Sequence, residues 1–313
     1  MVGGGKLAFV FPGQASQKAG MAAELLAQEL AARAVFETAN GVLGLDLAEI
    51  CTTADEATLT RTEVAQPALL TTSVAWLRML AERGVRPQMA AGHSLGEFAA
   101  WVAAGVMEFE AALRLVQRRG ELMAAAGEKR PGGMVAVLGL ADEQVARLCE
   151  RARAAGEVVV ANYNSPGQVV VSGELVAVTK ISELVKEARG RAIPLRVSGA
   201  FHSPLMAEAG AEFAAWVAGV ELADPAIPVV ANATAESVTT AAQASEAITR
   251  QMTNPVLWTA SVQRMVAEGV GTFLEVGPGQ VLTKLIERIA PEARARAVGS
   301  LTELQKAIEE TGA

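Results

Sequence analysis

Gly92-His93-Ser94-Leu95-Gly96 carries the G-x-S-x-G spacing of a nucleophile elbow. That chemistry requires a strand ending in a turn so tight that small residues flank the serine. The hydroxyl then stands at the N-terminus of the next helix, whose first N–H groups, Leu95 foremost, point at any oxyanion formed beside it. A serine needs a base, and the chain holds only two histidines, His93 and His202. His93 adjoins the serine on an extended strand, where neighbours face opposite sides, so it is expected to support the elbow from beneath. His202 lies in Val197-Ser-Gly-Ala-Phe-His-Ser-Pro-Leu205 and is the candidate base. Of the four aspartates, Asp142 is expected to cap a helix, Asp224 precedes Pro225 in a turn, and neither Asp46 nor Asp55 follows a strand. The only glutamate at a strand end after the elbow is Glu275. The expectation is a Ser–His dyad whose imidazole is oriented by a backbone carbonyl.

Arg119 is the third informative residue. On the predicted helix 109–126 it falls on the apolar stripe of Ala112, Leu115, Val116, Leu122 and Met123, while Arg118 shares the opposite face with Arg114 and Glu121. A guanidinium facing inward costs several kcal/mol unless an anion and hydrogen bonds compensate it. Spacing leaves two readings open: half of an internal ion pair, or the receptor for an acidic substrate group. Gln14, in the turn after the first strand, can offer an amide N–H to an oxyanion, but taken alone it reads as a turn residue. Gln66, Asn162 and Gln251 are indistinct by spacing.

The elements that must hold these residues alternate. Lys6–Phe11 reads as a buried strand closed by Pro12-Gly13, with the glycines at 3–5 as a loose lead. Helices are expected over 21–39, from Pro67 to Gly84, from Ser94 to Ala104, and over 109–126, ended by Gly127, with a strand at 88–92. From Pro131 the rhythm becomes β-α-β-β-α-β over about 65 residues, the ferredoxin-like unit. Strands at 133–139, 157–162, 168–172 and 192–197 enclose helices 142–155 and 174–189. Alternation resumes after His202, with helices at 204–218, 255–268, 280–289 and 302–310 and strands at 228–232 and 272–276. The small unit is therefore expected as residues 129–197, inserted into a large α/β domain of residues 1–128 and 198–313, with the ligand cleft between them.

Composition excludes several classes. The chain has 313 residues, 51% hydrophobic and 19% charged, enough for a large core. No run reaches the ~18 apolar residues of a membrane helix, and Lys6 and Pro12 spoil a signal-peptide pattern, so no membrane association is expected. A net charge of −7 argues against nucleic acid. Two cysteines and two histidines supply too few ligands for a structural zinc site, and the two cysteines suggest a reducing, cytoplasmic setting. Neither metal nor cofactor is expected.

Taken together, several segments resemble the malonyl-CoA:acyl carrier protein transacylases and the acyltransferase domains of polyketide and fatty-acid synthases. They include Phe11-Pro-Gly-Gln-Ala-Ser-Gln17, Thr62-Glu-Val-Ala-Gln-Pro-Ala68, Gly92-His-Ser-Leu-Gly-Glu97, Gln117-Arg-Arg-Gly120, Asn162-Tyr-Asn164, Gly199-Ala-Phe-His-Ser203, Gln251-Met-Thr-Asn-Pro255 and Glu275-Val-Gly-Pro-Gly279. The resemblance implies an α/β-hydrolase-like large domain with parallel sheet, carrying the ferredoxin-like insert. It implies Ser94 as nucleophile, His202 as base, Gln14 and Leu95 as oxyanion hole, and Arg119 as receptor for the malonyl carboxylate. Gln251 would orient His202 through its main-chain carbonyl, and Gln66, His93, Asn162 and Phe201 would support the pocket. Ala200-Phe201 is similar to the malonyl-selective form of that motif. The implied partners are malonyl-CoA and an acidic acyl carrier protein, with a monomeric enzyme. Lys129-Arg130, Arg151/Arg153 and Arg189/Arg191 are candidates for carrier docking. A serine esterase shares the elbow but would call for an acidic triad member and give no reason for Arg119. A non-catalytic carrier-binding module would form no acyl adduct.

Overall fold

Alternate residues of the first strand are buried against opposite faces of one sheet. Phe9 and Phe11 join the apolar cluster on one side, Ala8 and Val10 the cluster on the other. A strand buried on both faces is what a parallel sheet between helix layers demands. The computed structural model describes residues 5–311, so of the glycine lead only Gly5 falls among them. The strands are β1 (Lys6–Phe11), β2 (Met89–Gly92), β3 (Gly132–Leu138), β4 (Val158–Ser165), β5 (Gln168–Glu174), β6 (Arg191–Pro194), β7 (Val229–Val230), β8 (Ser237–Val238), β9 (Val270–Val276) and β10 (Arg294–Val298).

Six of them form one sheet in the order β10-β9-β1-β2-β7-β8, parallel except for the β7/β8 pair. The other four form an antiparallel sheet in the order β4-β5-β3-β6, the arrangement of a ferredoxin-like βαββαβ unit. Helices Asp142–Ala152 and Leu175–Glu187 cover it and share its separate apolar cluster. The fold is α/β, with an α/β-hydrolase-like sheet and a smaller antiparallel one. β4 also touches the large body: Tyr163 N–H donates to Val256 O at 2.9 Å and Val256 N–H to Ala161 O at 2.8 Å. Among the described residues no helix is long and apolar enough to cross a membrane.

Several expected boundaries shift for visible reasons. The helix expected over 21–39 is two helices, Ala23–Gln28 and Leu30–Leu43, broken at an extended Glu29. Arg33 supports the break by donating to the end carbonyls Leu26 O and Ala27 O, both at 2.6 Å. The helix expected from Pro67 begins at Thr62 and carries Pro67 inside it. The helix expected to stop at Gly127 runs over Phe109–Lys129. That glycine marks a close approach, since a Cβ there would lie 2.1 Å from Ser198 O. Asp142 is the first residue of its helix without capping it, and one of its carboxylate oxygens is buried without a partner. The short helices Leu47–Thr53 and Glu56–Thr60, the helix Ala241–Arg250, and strands β8 and β10 are additions to the expected pattern.

Candidate active site

The C-terminal ends of β1 and β2 lie side by side, with Phe11 in register with Gly92. Ligands of open α/β sheets bind beyond such ends. β2 turns through His93 and Ser94 into the helix Gly96–Ala103, and Ser94 is held at a φ of 52°. A non-glycine residue there is strained, as expected of an elbow. The flanking glycines are required by contact: a Cβ on Gly92 would lie 2.0 Å from Gly96 C, and one on Gly96 would lie 2.0 Å from Phe11 O.

Ser94 Oγ lies 2.7 Å from His202 Nε2. On the far side of the ring, Nδ1 stands 3.0 Å from Gln251 O and 3.1 Å from Asn254 O. Two carbonyl acceptors put the proton on Nδ1, which leaves the Nε2 lone pair to accept from the serine hydroxyl. Burial, reinforced by the charge of Arg119, pushes the His202 imidazole down to about 3, so it is neutral at working pH. All four aspartates are employed elsewhere. Asp46 and Asp55 cap helices through Glu49 N–H and Thr58 N–H, Asp224 accepts from Ala241 N–H at 2.7 Å, and Asp142 sits in the small unit. Glu275 spends its carboxylate on Leu282 and Thr283 at the start of the helix Val281–Ile289.

Arg119 is 1% exposed. Its Nη2 donates to Ser94 Oγ at 3.1 Å and its Nη1 to Gln66 Oε1 at 2.8 Å, while Nε has no partner. Arg118 points outward to Glu121 and Glu212, so the helical stripe separates the two arginines as spacing predicts. Among the described residues no carboxylate hydrogen-bonds Arg119, and buried Glu97 acts on it only through its charge. Burial lowers it to about 10, still cationic at neutral pH.

A cavity of about 670 Å³ opens over this group, lined by Gln14, His93, Ser94, Asn162, Phe201 and His202 among others. Gln14 reaches Thr62 Oγ1 at 3.2 Å, and Leu95 stands at the N-cap of the helix Gly96–Ala103. His93 lines the cavity, with Nε2 2.8 Å from Asn164 Oδ1 on β4 and its ring tilted against Trp258. It is therefore a wall of the cleft and a tie to the small sheet, where spacing had put it beneath the elbow. Gln66 is fully buried beneath Arg119, and Asn162 is the β4 residue that bridges Val256. The residues that sequence reasoning missed are Asn254, whose carbonyl shares the imidazole proton, and the pair Asn232 and Glu97 behind the elbow. Asn232 Oδ1 accepts from Ser94 N–H at 2.7 Å and its Nδ2 donates to Gly92 O at 2.6 Å.

Residues 8–311 match the family described as "Acyl transferase domain". The malonyl CoA-acyl carrier protein transacylase of Bacillus subtilis is 40% identical over 306 residues, covering 97% of this chain and 96% of that one. The chain belongs to this acyl transferase family. The enzyme also resembles solved structures along its whole length. The acyl carrier protein S-malonyltransferase of Vibrio cholerae superposes with a TM-score of 0.92 at 42% identity, covering 96% of this chain and 99% of that one. A malonyl-transacylase solved in complex with its type II PKS acyl-carrier protein gives a TM-score of 0.94 at 41% identity, covering 97% and 99%.

Proposed function

We propose that this enzyme transfers malonyl from malonyl-CoA to the phosphopantetheine thiol of an acyl carrier protein through a malonyl-Ser94 intermediate, supplying units for fatty-acid or polyketide synthesis. One observation carries the reading: Ser94 Oγ touches a neutral imidazole on one side and a buried guanidinium that lacks a carboxylate partner on the other. Ser94 gives its proton to His202 Nε2 as the oxygen attacks the thioester carbon. The oxyanion meets the amide N–H groups of Gln14 and Leu95, and the CoA thiolate leaves with the proton from His202. The carrier thiol then repeats the sequence in reverse, with His202 as base. Gln251 O holds the imidazole, Arg119 holds the malonyl carboxylate, and Gln66, His93, Asn162 and Phe201 shape the pocket around it.

The domain reading that accompanies this chemistry assigns residues 129–197 to the inserted unit and residues 1–128 and 198–313 to the large one. No cofactor takes part in the scheme. The reading takes the enzyme as a monomer, and the two buried, unpaired cysteines suit the cytoplasm. For carrier docking, Lys129 and Arg130 already meet Glu208 and Glu174, which leaves exposed Arg151, Arg153, Arg189 and Arg191 as better candidates. Incubation with malonyl-CoA followed by peptide mass spectrometry should find one malonyl group, on the peptide containing Ser94. Its persistence in Ser94→Ala would overturn the scheme.

A further inference from the structure

Behind the elbow lies a buried carboxylate for which the reaction scheme has no use. Glu97, on the first turn of the helix Gly96–Ala103, is 1% exposed. Its two oxygens accept from distant parts of the chain. Oε1 takes the Asn232 backbone N–H at 2.7 Å, and Oε2 takes the side-chain amide of Gln251. The same Gln251 Nε2 donates to Ser94 O at 2.8 Å. Gln251 is the residue whose main-chain carbonyl holds His202, and Asn232 is the residue whose side chain straddles the elbow from Ser94 N–H to Gly92 O. One carboxylate thus grips both the clamp on the nucleophile and the seat of the base.

We propose that Glu97 is a positioning residue, holding Gln251 and Asn232 so that Ser94 and His202 keep their reactive geometry. Both of its partners are N–H donors, so the clasp is complete only when Glu97 is ionised and purely an acceptor. Burial pushes its carboxyl up to about 7, and the one charge drawing it back is Arg119 on the neighbouring helix. His202, on the loop facing it, and His93, at the end of β2, are both pushed down by burial and stay neutral. As pH falls through neutrality, the group that changes at the centre is therefore Glu97, and the clasp loosens while the imidazole remains a base.

The inference rests on the Ser94–His202 reading, and the experiment separates the two. Glu97→Gln keeps the shape but turns an NH2 group against one of the two donors. A Gln251 flip could meet it only by facing its amide oxygen to Ser94 O. Hydrogen bonds to charged groups are worth about 1.5–3 kcal/mol, or roughly 10- to 150-fold in rate. The rate of Ser94 malonylation should fall by that factor with KM for malonyl-CoA within about twofold, since Glu97 does not line the cavity. The acid limb of the pH–rate profile near neutrality should vanish in the variant rather than move. Gln251→Ala, which keeps the main-chain carbonyl, should lower the same rate, and the double variant should be no worse than the poorer single one. A wild-type rate and unchanged acid limb in Glu97→Gln, or additive losses in the double variant, overturns the proposal. Should Glu97→Gln not fold, Gln251→Ala decides alone: kcat lost with KM kept supports the clasp, and an unchanged kcat overturns it. If the wild-type enzyme itself takes no malonyl on Ser94, the failure belongs to the reading of the site.

Discussion

Removing the Arg119 side chain should separate malonyl from acetyl transfer more sharply than any other single change. The guanidinium has one hydrogen bond to Gln66, one to Ser94 Oγ, and an Nε without a partner. Spare donors beside the nucleophile suit a planar carboxylate, which fits a guanidinium through two parallel bonds. Breaking a buried charge pair by removing one partner costs about 3–5 kcal/mol. At 1.36 kcal/mol per decade, Arg119→Ala should lose roughly 10²- to 10⁴-fold in kcat/KM for malonyl-CoA. An acetyl thioester has no carboxylate to lose, and in the native site it covers the guanidinium without pairing it. Acetyl transfer should therefore hold or improve. The assay is transfer of radiolabelled malonyl and acetyl groups from CoA to acyl carrier protein, with thermal unfolding of the variant as a control on folding. An unchanged malonyl:acetyl ratio in a folded variant would refute the assignment of Arg119 and with it the reason for selecting malonate.

Two further outcomes follow from burial and from contact. His202 titrates at about 3 in the fold against about 6.5 unfolded, so the unfolded chain binds a proton that the native state refuses between those values. Stability should therefore be lost as pH falls from about 6.5 to 3, on the order of a few kcal/mol. Glu97, raised to about 7, works in the opposite sense between about 4.5 and 7, so the net fall should steepen below about 4.5. Denaturant melts of His202→Gln should show a shallower decline over the acid range, and curves parallel to wild type would count against a neutral buried imidazole. Gly96→Ala would force a Cβ against backbone atoms, 2.0 Å from Phe11 O and 2.6 Å from Phe11 C. That should cost about 3 kcal/mol or more, seen as a lowered Tm or insoluble protein, whereas a near-native Tm would mean the elbow has room to relax.

What could be anticipated from sequence was whatever a local pattern encodes. The elbow announces itself because its glycines and serine stand within five residues, although only Gly92 is forced by a contact inside that stretch and Gly96 is forced by Phe11 on β1. Arg119 announces itself because one cation interrupts a helical stripe. The βαββαβ rhythm is likewise local, and so is the lack of a carboxylate for His202, since an inventory of four aspartates is short. The clasp was invisible for the opposite reason. Glu97 meets Asn232 and Gln251 across 135 and 154 residues of chain, and nothing near Glu97 distinguishes it from an ordinary acid in a first helical turn. Asn254 supplies only a carbonyl, which every residue possesses. Gly127 misled because a glycine at a close approach looks the same in sequence as one ending a helix, and Pro67 because a proline inside a helix looks the same as one opening it.

The choice of a carbonyl to orient His202 follows from the presence of Arg119. In a Ser–His–Asp arrangement the buried carboxylate fixes the imidazole and stabilises the imidazolium as it forms. On the proposed reading the same pocket also holds a guanidinium for a substrate anion. A carboxylate on Nδ1 would be drawn to that guanidinium through a weakly screening interior, and the substrate would have to compete with an internal partner. Gln251 O and Asn254 O fix the tautomer without adding a negative charge. Glu97, a buried carboxylate nearby, is occupied by two N–H donors and acts on Arg119 through the field alone. What is given up is stabilisation of the imidazolium, while burial and the charge of Arg119 already lower the affinity of His202 for its proton. In a transfer that runs through thioester, ester and thioester, a weak base suffices to shuttle the serine proton to a thiolate and back. A strong internal anion would cost the site its preference for a substrate that brings its own.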